Sequence, residues 1–263
     1  MGSPPCYPFE LCPTVQAQYG IITLQKVVLS CMTYTAEEIE KLLAAGALMR
    51  IGMGSRRACY RLPGGKLCIK CYRSDEEIAE GKHPGAACNK PLAAGAVREI
   101  RRFRFDEKHN ICAQEYRYWL SLKKRLPEDL MRAFPATMEL VKLPTRGWAT
   151  IEELVENSDG TPPQKFADEW RAADEGRRKA LLAAFDSIAE AFVRNTVRMF
   201  DPQNILVQRM DGGGGFRLRI TDFEPGSRML VRIDVVPAIT RMKVKRRFAR
   251  YRKIFGTYER KAR

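Results

Sequence analysis

The sequence predicts a two-lobed α+β fold, with a small antiparallel sheet first and a helical portion second. Three observations predict it. Strand-type runs punctuated by glycine and proline crowd residues 50–72 and 138–155. Leu181, Leu182, Phe185, Ile188, Phe192 and Val193 recur at helical spacing. Two further β-branched runs, 205–207 and 216–221, flank Asp211 and four glycines, the composition of a hairpin turn. At 263 residues the chain has ample length for a real core.

Residues 1–47 read as an N-terminal extension, proline- and cysteine-containing at first and then helical from about Ala36 to Leu48. Thr35 and Glu38 stand at capping-box spacing for that helix. Met32 and Met49 leave the translation start open. The sheet-bearing lobe covers 48–155. It begins with a glycine turn that runs into a strand, Ile51 to Leu62. Pro63-Gly64-Gly65 reverses the chain, and Lys66 to Tyr72 is the return strand. The polar stretch 74–95 reads as an inserted loop. Ala113 to Leu122 reads as an amphipathic helix with Tyr116, Trp119 and Leu120 inward, and Met138–Leu143 and Gly147–Val155 as strands about Pro144. The helical lobe covers 156–240 and holds a long helix from about Arg177 to Val197, the Asp201 loop and the glycine hairpin. Residues 241–263 form a basic terminal helix or tail.

The most informative chemistry sits on that hairpin. Asn204 stands at its start and Asp222 just past its end, so an amide oxygen and a carboxylate can meet at one divalent ion. Hard cations such as Mg2+ take oxygen ligands and usually bring phosphates with them. Upstream, the chain offers in order a glycine turn (Gly52, Gly54), a strand lysine (Lys70) and a helix glutamate (Glu115). That order matches the division of labour in phosphoryl transfer: backbone approach to phosphates, a braced lysine on them, and Asn and Asp for the metal. Each element has an ordinary reading beside it. Lys70 as a snorkelling strand residue, Glu115 as a surface acid, Asn204 as a loop cap and Asp222 as a turn residue all stay open.

The totals exclude several classes. No run of eighteen apolar residues spans a membrane. The apolar stretch Gly20 to Tyr34 has no basic start before it, so a leader is not expected, and the eight cysteines are read as reduced thiols of a cytoplasmic protein. Cys68-Ile69-Lys70-Cys71 has zinc-like spacing but no second pair, and alternation along a strand would turn the two thiols apart. Of the net charge of +15, residues 241–263 carry about +10, with eleven Lys or Arg against Glu259 alone. Val244, Phe248, Tyr251 and Phe255 fall at three-to-four spacing, so this segment is read first as a helix docked by one face. A second reading is attraction to an anionic membrane surface. No nucleic-acid-binding module is recognisable in it.

The chain resembles the bacterial YrbL family, the PhoP regulatory network proteins, relatives of the protein-kinase-like fold. The residues that carry the resemblance are Gly52 to Tyr60, Cys68-Ile69-Lys70, Gln114-Glu115-Tyr116, Pro202-Gln203-Asn204-Ile205-Leu206 and Asp222, within about residues 48–255. The resemblance implies a kinase-like N-lobe, a truncated helical C-lobe, and ATP with Mg2+ between them. It implies that Lys70 contacts the α/β-phosphates, that Glu115 pairs with Lys70, and that Asn204 and Asp222 bind metal. The backbone of Glu153-Leu154-Val155 would face the adenine. Glu115 lies 45 residues beyond Lys70, which leaves Glu99 as the rival partner.

Two departures bear on activity. Five residues before the metal-binding asparagine, kinases carry an aspartate that orients the attacking hydroxyl; here Met199 stands there, preceded by the expected arginine, Arg198. Asp201, two residues on, would share a side with that position in an extended loop and is read as a candidate substitute base. Only 41 residues follow Asp222, so a dedicated protein kinase is not expected. The expectation is therefore a monomeric phosphotransferase whose acceptor the sequence does not name. Its alternative is a nucleotide-binding regulatory protein without turnover.

Overall fold

The computed structural model describes residues 34–79, 93–197, 204–210, 215–223 and 237–261, with side chains to 253 in the last segment. The strands and helices of the fold belong to one compact unit, Ala36 to Arg263.

Five strands make one antiparallel sheet: β1 (Arg50–Met53), β2 (Arg57–Arg61), β3 (Leu67–Tyr72), β4 (Met138–Leu143) and β5 (Gly147–Glu153). Their order is β1-β2-β3-β5-β4, so β3, which carries Lys70, is central. A central strand is covered on both faces, and Cys68, Ile69, Cys71 and Tyr72 are all buried. Helix α1 (Ala36–Ala44), expected within an extension ending at 47, belongs to this unit and buries Ile39 and Leu43. Its Glu40 accepts hydrogen bonds from the Thr145 N–H at 3.1 Å and the Thr145 hydroxyl at 2.5 Å.

The stretch expected as a plain loop, 74–95, contains helix α2 (Asp75–Ala79) and the start of α3 (Ala94–Phe103). Ile78 and Ile100 explain why: they pack with Tyr72 and Ile111 in a small apolar cluster that a solvated loop would leave exposed. Residues 80–92 lie outside the described residues.

Helix α4 (Ile111–Arg125) starts two residues before its expected position because Asn110 caps it, accepting from the Ala113 N–H at 3.2 Å. The same Asn110 is fully buried and donates to the carbonyls of Arg104 at 2.9 Å and Trp148 at 3.2 Å. Cys112 donates to the Lys70 carbonyl at 3.5 Å. These contacts fix the register of α4 against β3 and β5.

A short helix, α5 (Glu128–Met131), precedes β4. The second half holds the two-residue strand β6 (Gln164–Lys165), helix α6 (Phe166–Ala172), helix α7 (Glu175–Arg194), the hairpin β7 (Ile205–Arg209) and β8 (Phe216–Ile220), and helix α8 (Pro237–Lys261). Asp174 caps α7 by accepting from the Arg177 N–H at 2.7 Å. At its other end Thr196 adopts φ +52°, and the Val197 N–H returns to the Phe192 carbonyl at 2.9 Å. This is a Schellman stop with threonine where glycine is usual. Strands β6, β7 and β8 form a second antiparallel sheet in that order.

The main core joins α4, α6, α7, α8 and the β7–β8 hairpin. Phe134 packs against Phe192 at 5.7 Å and edge-on to Phe223 at 5.3 Å, and Phe248 of α8 meets Phe185 at 5.1 Å. Val244 and Phe248 are the buried side of α8, while Lys245, Arg246 and Arg250 are exposed. Among the described residues no helix is long and apolar enough to cross a membrane.

Gly147 is the tightest point of the frame. It has φ +70°, and a Cβ there would lie 2.0 Å from the Arg104 carbonyl oxygen that Asn110 and Trp148 both use. Gly147→Ala is therefore expected to destabilise the protein by about 3 kcal/mol or more. Urea denaturation of both forms checks this, and a change under about 1 kcal/mol refutes it.

Candidate nucleotide and metal site

Lys70 lies opposite Cys59 of β2 and Thr150 of β5, so strand alternation puts Lys70, Cys68, Thr150 and Glu152 on one face of the sheet. The ammonium pairs with Glu152 at 2.6 Å and donates to the main-chain carbonyl of Thr221. One residue on, the Asp222 carboxylate pairs with Arg57. Arg57 also pairs with Glu115, which reaches down from α4 and accepts from the Phe223 N–H at 3.1 Å. Asn204 donates to the main-chain carbonyl of Asp222 at 3.5 Å. Lys70, Glu115, Asn204 and Asp222, far apart in the chain, thus lie in one place.

The pairing inside that cluster differs from the expectation. The direct partner of Lys70 is Glu152, and Glu115 holds Arg57 instead. Glu99 pairs with Arg56 at 3.1 Å. The physical reason is the number of charges: three carboxylates share two cations, and the planar fork of Arg57 bridges the two acids that Lys70 does not take. The sequence does not single out Arg57 or Glu152. An arginine after a glycine turn carries no signature in a chain with 46 Lys and Arg. For Glu152 the alternation Thr150, Glu152 was the one available signal, and it reads as a solvated face.

Phe223 explains why Asp222 is held where it is. Its ring is fully buried against Phe134, so the residue before it is anchored by core packing. Gly52 and Gly54 lie at the other side of the turn that leads to Arg57, with the Gly54 N–H donated to the Arg57 carbonyl at 2.7 Å. A Cβ at either glycine would meet its nearest atom at 3.8 Å, an ordinary contact, so the protein's own packing does not require glycine there. Glu153 accepts from Arg219 and from the Ala136 N–H, each at 2.6 Å, and gives its own N–H to the Thr137 carbonyl at 3.2 Å. The Val155 side chain is buried. Asp201, Met199 and Arg198 lie outside the described residues.

Electrostatics follow from the crowding. Burial opposes the charge on Lys70, but the carboxylates of Glu152, Glu115 and Asp222 outweigh it, and the ammonium stays charged well above its ordinary range. Burial likewise opposes ionised Asp222, yet Arg57 and Lys70 hold its carboxyl below the usual value. Glu152 is the acid for which burial wins; with only a share of Lys70 and with Glu115 nearby, it is pushed up to about 7. Among the described residues, Glu152 Oε2 and Thr150 Oγ1 are also buried without a hydrogen-bond partner. Perturbed acids and unsatisfied polar atoms are concentrated at functional sites in general.

The donor set fits a metal nucleotide. Lys70 is a cation of the kind phosphates take, and Asp222 with the amide oxygen of Asn204 would make a hard-oxygen pair suited to Mg2+. The four described cysteines are free; Cys68 lies beside Cys59, whereas Cys71 accepts from Arg146 at 3.9 Å, so the two thiols of the zinc-like spacing face different neighbours. No protein-family model matches the chain, and no curated protein matches it.

The raised Glu152 carboxyl has a consequence for stability. Its proton is held more tightly in the folded state than in the unfolded one. The stabilisation is thus complete below its ordinary value of 4.5 and is lost as pH rises through about 7. Over that window the wild type should lose up to about 3 kcal/mol relative to Glu152→Gln. Thermal unfolding of both proteins from about pH 4.5 to 7.5 measures it; parallel curves would remove the assignment.

Proposed function

We propose that this protein is a kinase-like ATP- and Mg2+-binding protein acting as a phosphotransferase, in line with its resemblance to the YrbL family. The observation that carries the reading is the convergence of Lys70, Glu115, Asn204 and Asp222 from four separate elements. A β3 lysine, a helix acid near it and a metal-type Asp-Phe after a hairpin are parts that phosphoryl transfer uses in kinase-like proteins, although here Lys70 pairs with Glu152 and Glu115 with Arg57.

In this reading Lys70 turns from Glu152 to the α/β-phosphates, and the high proton affinity of Glu152 lowers the cost of that release. Glu115 stays fixed by the Phe223 N–H and keeps the cations of the site in place. Asn204 and Asp222 would hold Mg2+, which would neutralise charge on the transferring phosphoryl group. Gly52 and Gly54 leave the backbone open to approach phosphates, and the Glu153–Val155 backbone borders the base. Asp201 would accept the proton of the attacking hydroxyl, the task of the aspartate that kinases carry where Met199 stands. General-base help is worth about 10² to 10⁴ in rate, so positioning and charge carry the rest. The protein acts as a monomer on an acceptor still to be identified.

A second reading, a nucleotide-binding regulator without turnover, draws on two observations: Met199 stands at the usual base position, and Asp222 is engaged by Arg57. Transfer of label from γ-labelled ATP separates the two.

Thermal unfolding with ATP, with and without Mg2+, tests the binding. At about 100 times its Kd the nucleotide should stabilise the fold by about 2.7 kcal/mol. Lys70→Ala should abolish the shift and Asp222→Asn its Mg2+ dependence; a full shift in Lys70→Ala excludes this site. Asp201→Asn should slow turnover about 10²- to 10⁴-fold while leaving ATP affinity near normal, and unchanged turnover takes Asp201 out of the mechanism.

A further inference from the structure

Arg57 is the charged group at the centre of the site that the proposed division of labour leaves without a chemical role. It stands directly after the glycine turn, and its guanidinium joins two acids of different character. Glu115 is fully buried and already fixed by the Phe223 N–H. Asp222 is the accessible partner, with its side chain 42% exposed. Arg57 itself is only 11% exposed, so it is aimed inward at the same point as Lys70 rather than at solvent. Among the carboxylates near Lys70, Asp222 is also the one whose oxygens the nucleotide reading assigns to a metal.

We infer that Arg57 is a second phosphate-binding cation, braced permanently by Glu115 and resting on Asp222 only while no metal nucleotide is bound. The inference rests on the nucleotide reading and adds a residue to it. Charge balance argues for it first. Glu115, Glu152 and Asp222 face Lys70 alone if Arg57 is discounted, and a site with surplus carboxylate repels a polyphosphate. With Arg57 counted, three carboxylates face two cations, and a divalent ion on Asp222 would turn that balance positive. Chemistry argues for it second: the planar fork of a guanidinium suits phosphate oxygens, and Arg57 Nη1 can keep Glu115 while Nη2 changes partner. Third, a metal on Asp222 would compete with Nη2 for the carboxylate's electron density and weaken that bond. A buried charged donor short of a partner is costly, and the phosphate is the anion at hand.

Calorimetric titration of wild type, Arg57→Gln and Arg57→Lys with ATP and with adenosine, in Mg2+, tests the inference. Arg57→Gln should weaken ATP on the order of ten- to hundredfold and leave adenosine unchanged. Arg57→Lys, which keeps a charge opposite Glu115 and guards against misfolding of the neutral variant, should lose less ATP affinity. Equal losses for both ligands would make Arg57 a structural brace, and unchanged or tighter ATP binding would make it only a lock on Asp222. Either result overturns the inference while leaving the nucleotide reading intact. Wild type that binds neither ligand brings down both.

Discussion

Five charges in a space the size of a few side chains tie the structure together: Arg57 from β2, Lys70 from β3, Glu115 from α4, Glu152 from β5 and Asp222 from the end of β8. Each comes from a different element, and four of the five are largely buried. Away from bulk water, a charge whose partner is removed must bear its own desolvation, so the loss of any one element strands the charges on the others. The cluster therefore does more than add stability. It couples the five-stranded sheet to the β7–β8 hairpin, and it does so at the point where nucleotide chemistry is proposed.

The cluster is positioned by apolar and capping contacts that have no charge of their own. Phe223 is locked edge-on to Phe134 in the main core, which determines where Asp222 can be. Asn110 sets the start of α4 by capping it and by gripping the carbonyls of Arg104 and Trp148, which determines the height of Glu115. Gly147 makes that grip possible, because only a residue without a Cβ fits against the Arg104 carbonyl. Precision at the polar centre thus comes from the packing around it.

A second polar seam lies alongside. Arg219 of β8 is buried and reaches Glu153 at 2.6 Å, the Phe134 carbonyl at 3.1 Å and Gln208 at 3.1 Å. Gln208 in turn donates to the Glu156 carbonyl at 2.6 Å, and the Arg209 N–H donates to Asn157 at 2.8 Å. The segment after β5 is held to the hairpin by side-chain and main-chain bonds together, so the strand that carries Glu152 and the hairpin that ends at Asp222 are constrained as one piece. Bonds of this kind, inside a partly dehydrated seam, restrict hinge motion more than exposed ion pairs do.

Much of the frame was legible in the residues. Strands β3, β4 and β5, the long apolar helix and the pairing of β7 with β8 follow from period and β-branching, which are local properties; residues 211–214 between β7 and β8 lie outside the described residues. The approximate meeting of Lys70, Glu115, Asn204 and Asp222 could be expected from their order along elements of familiar type. The partners of those residues could not. Which acid Lys70 takes, that Arg57 enters the cluster, and that Glu152 is the acid pushed toward neutrality depend on distances between strands and helices remote in the chain. Hydrophobic period reports which face of an element is buried; only tertiary packing decides which charges share that burial, because electrostatic pairing is set by separation in space and by the water excluded there.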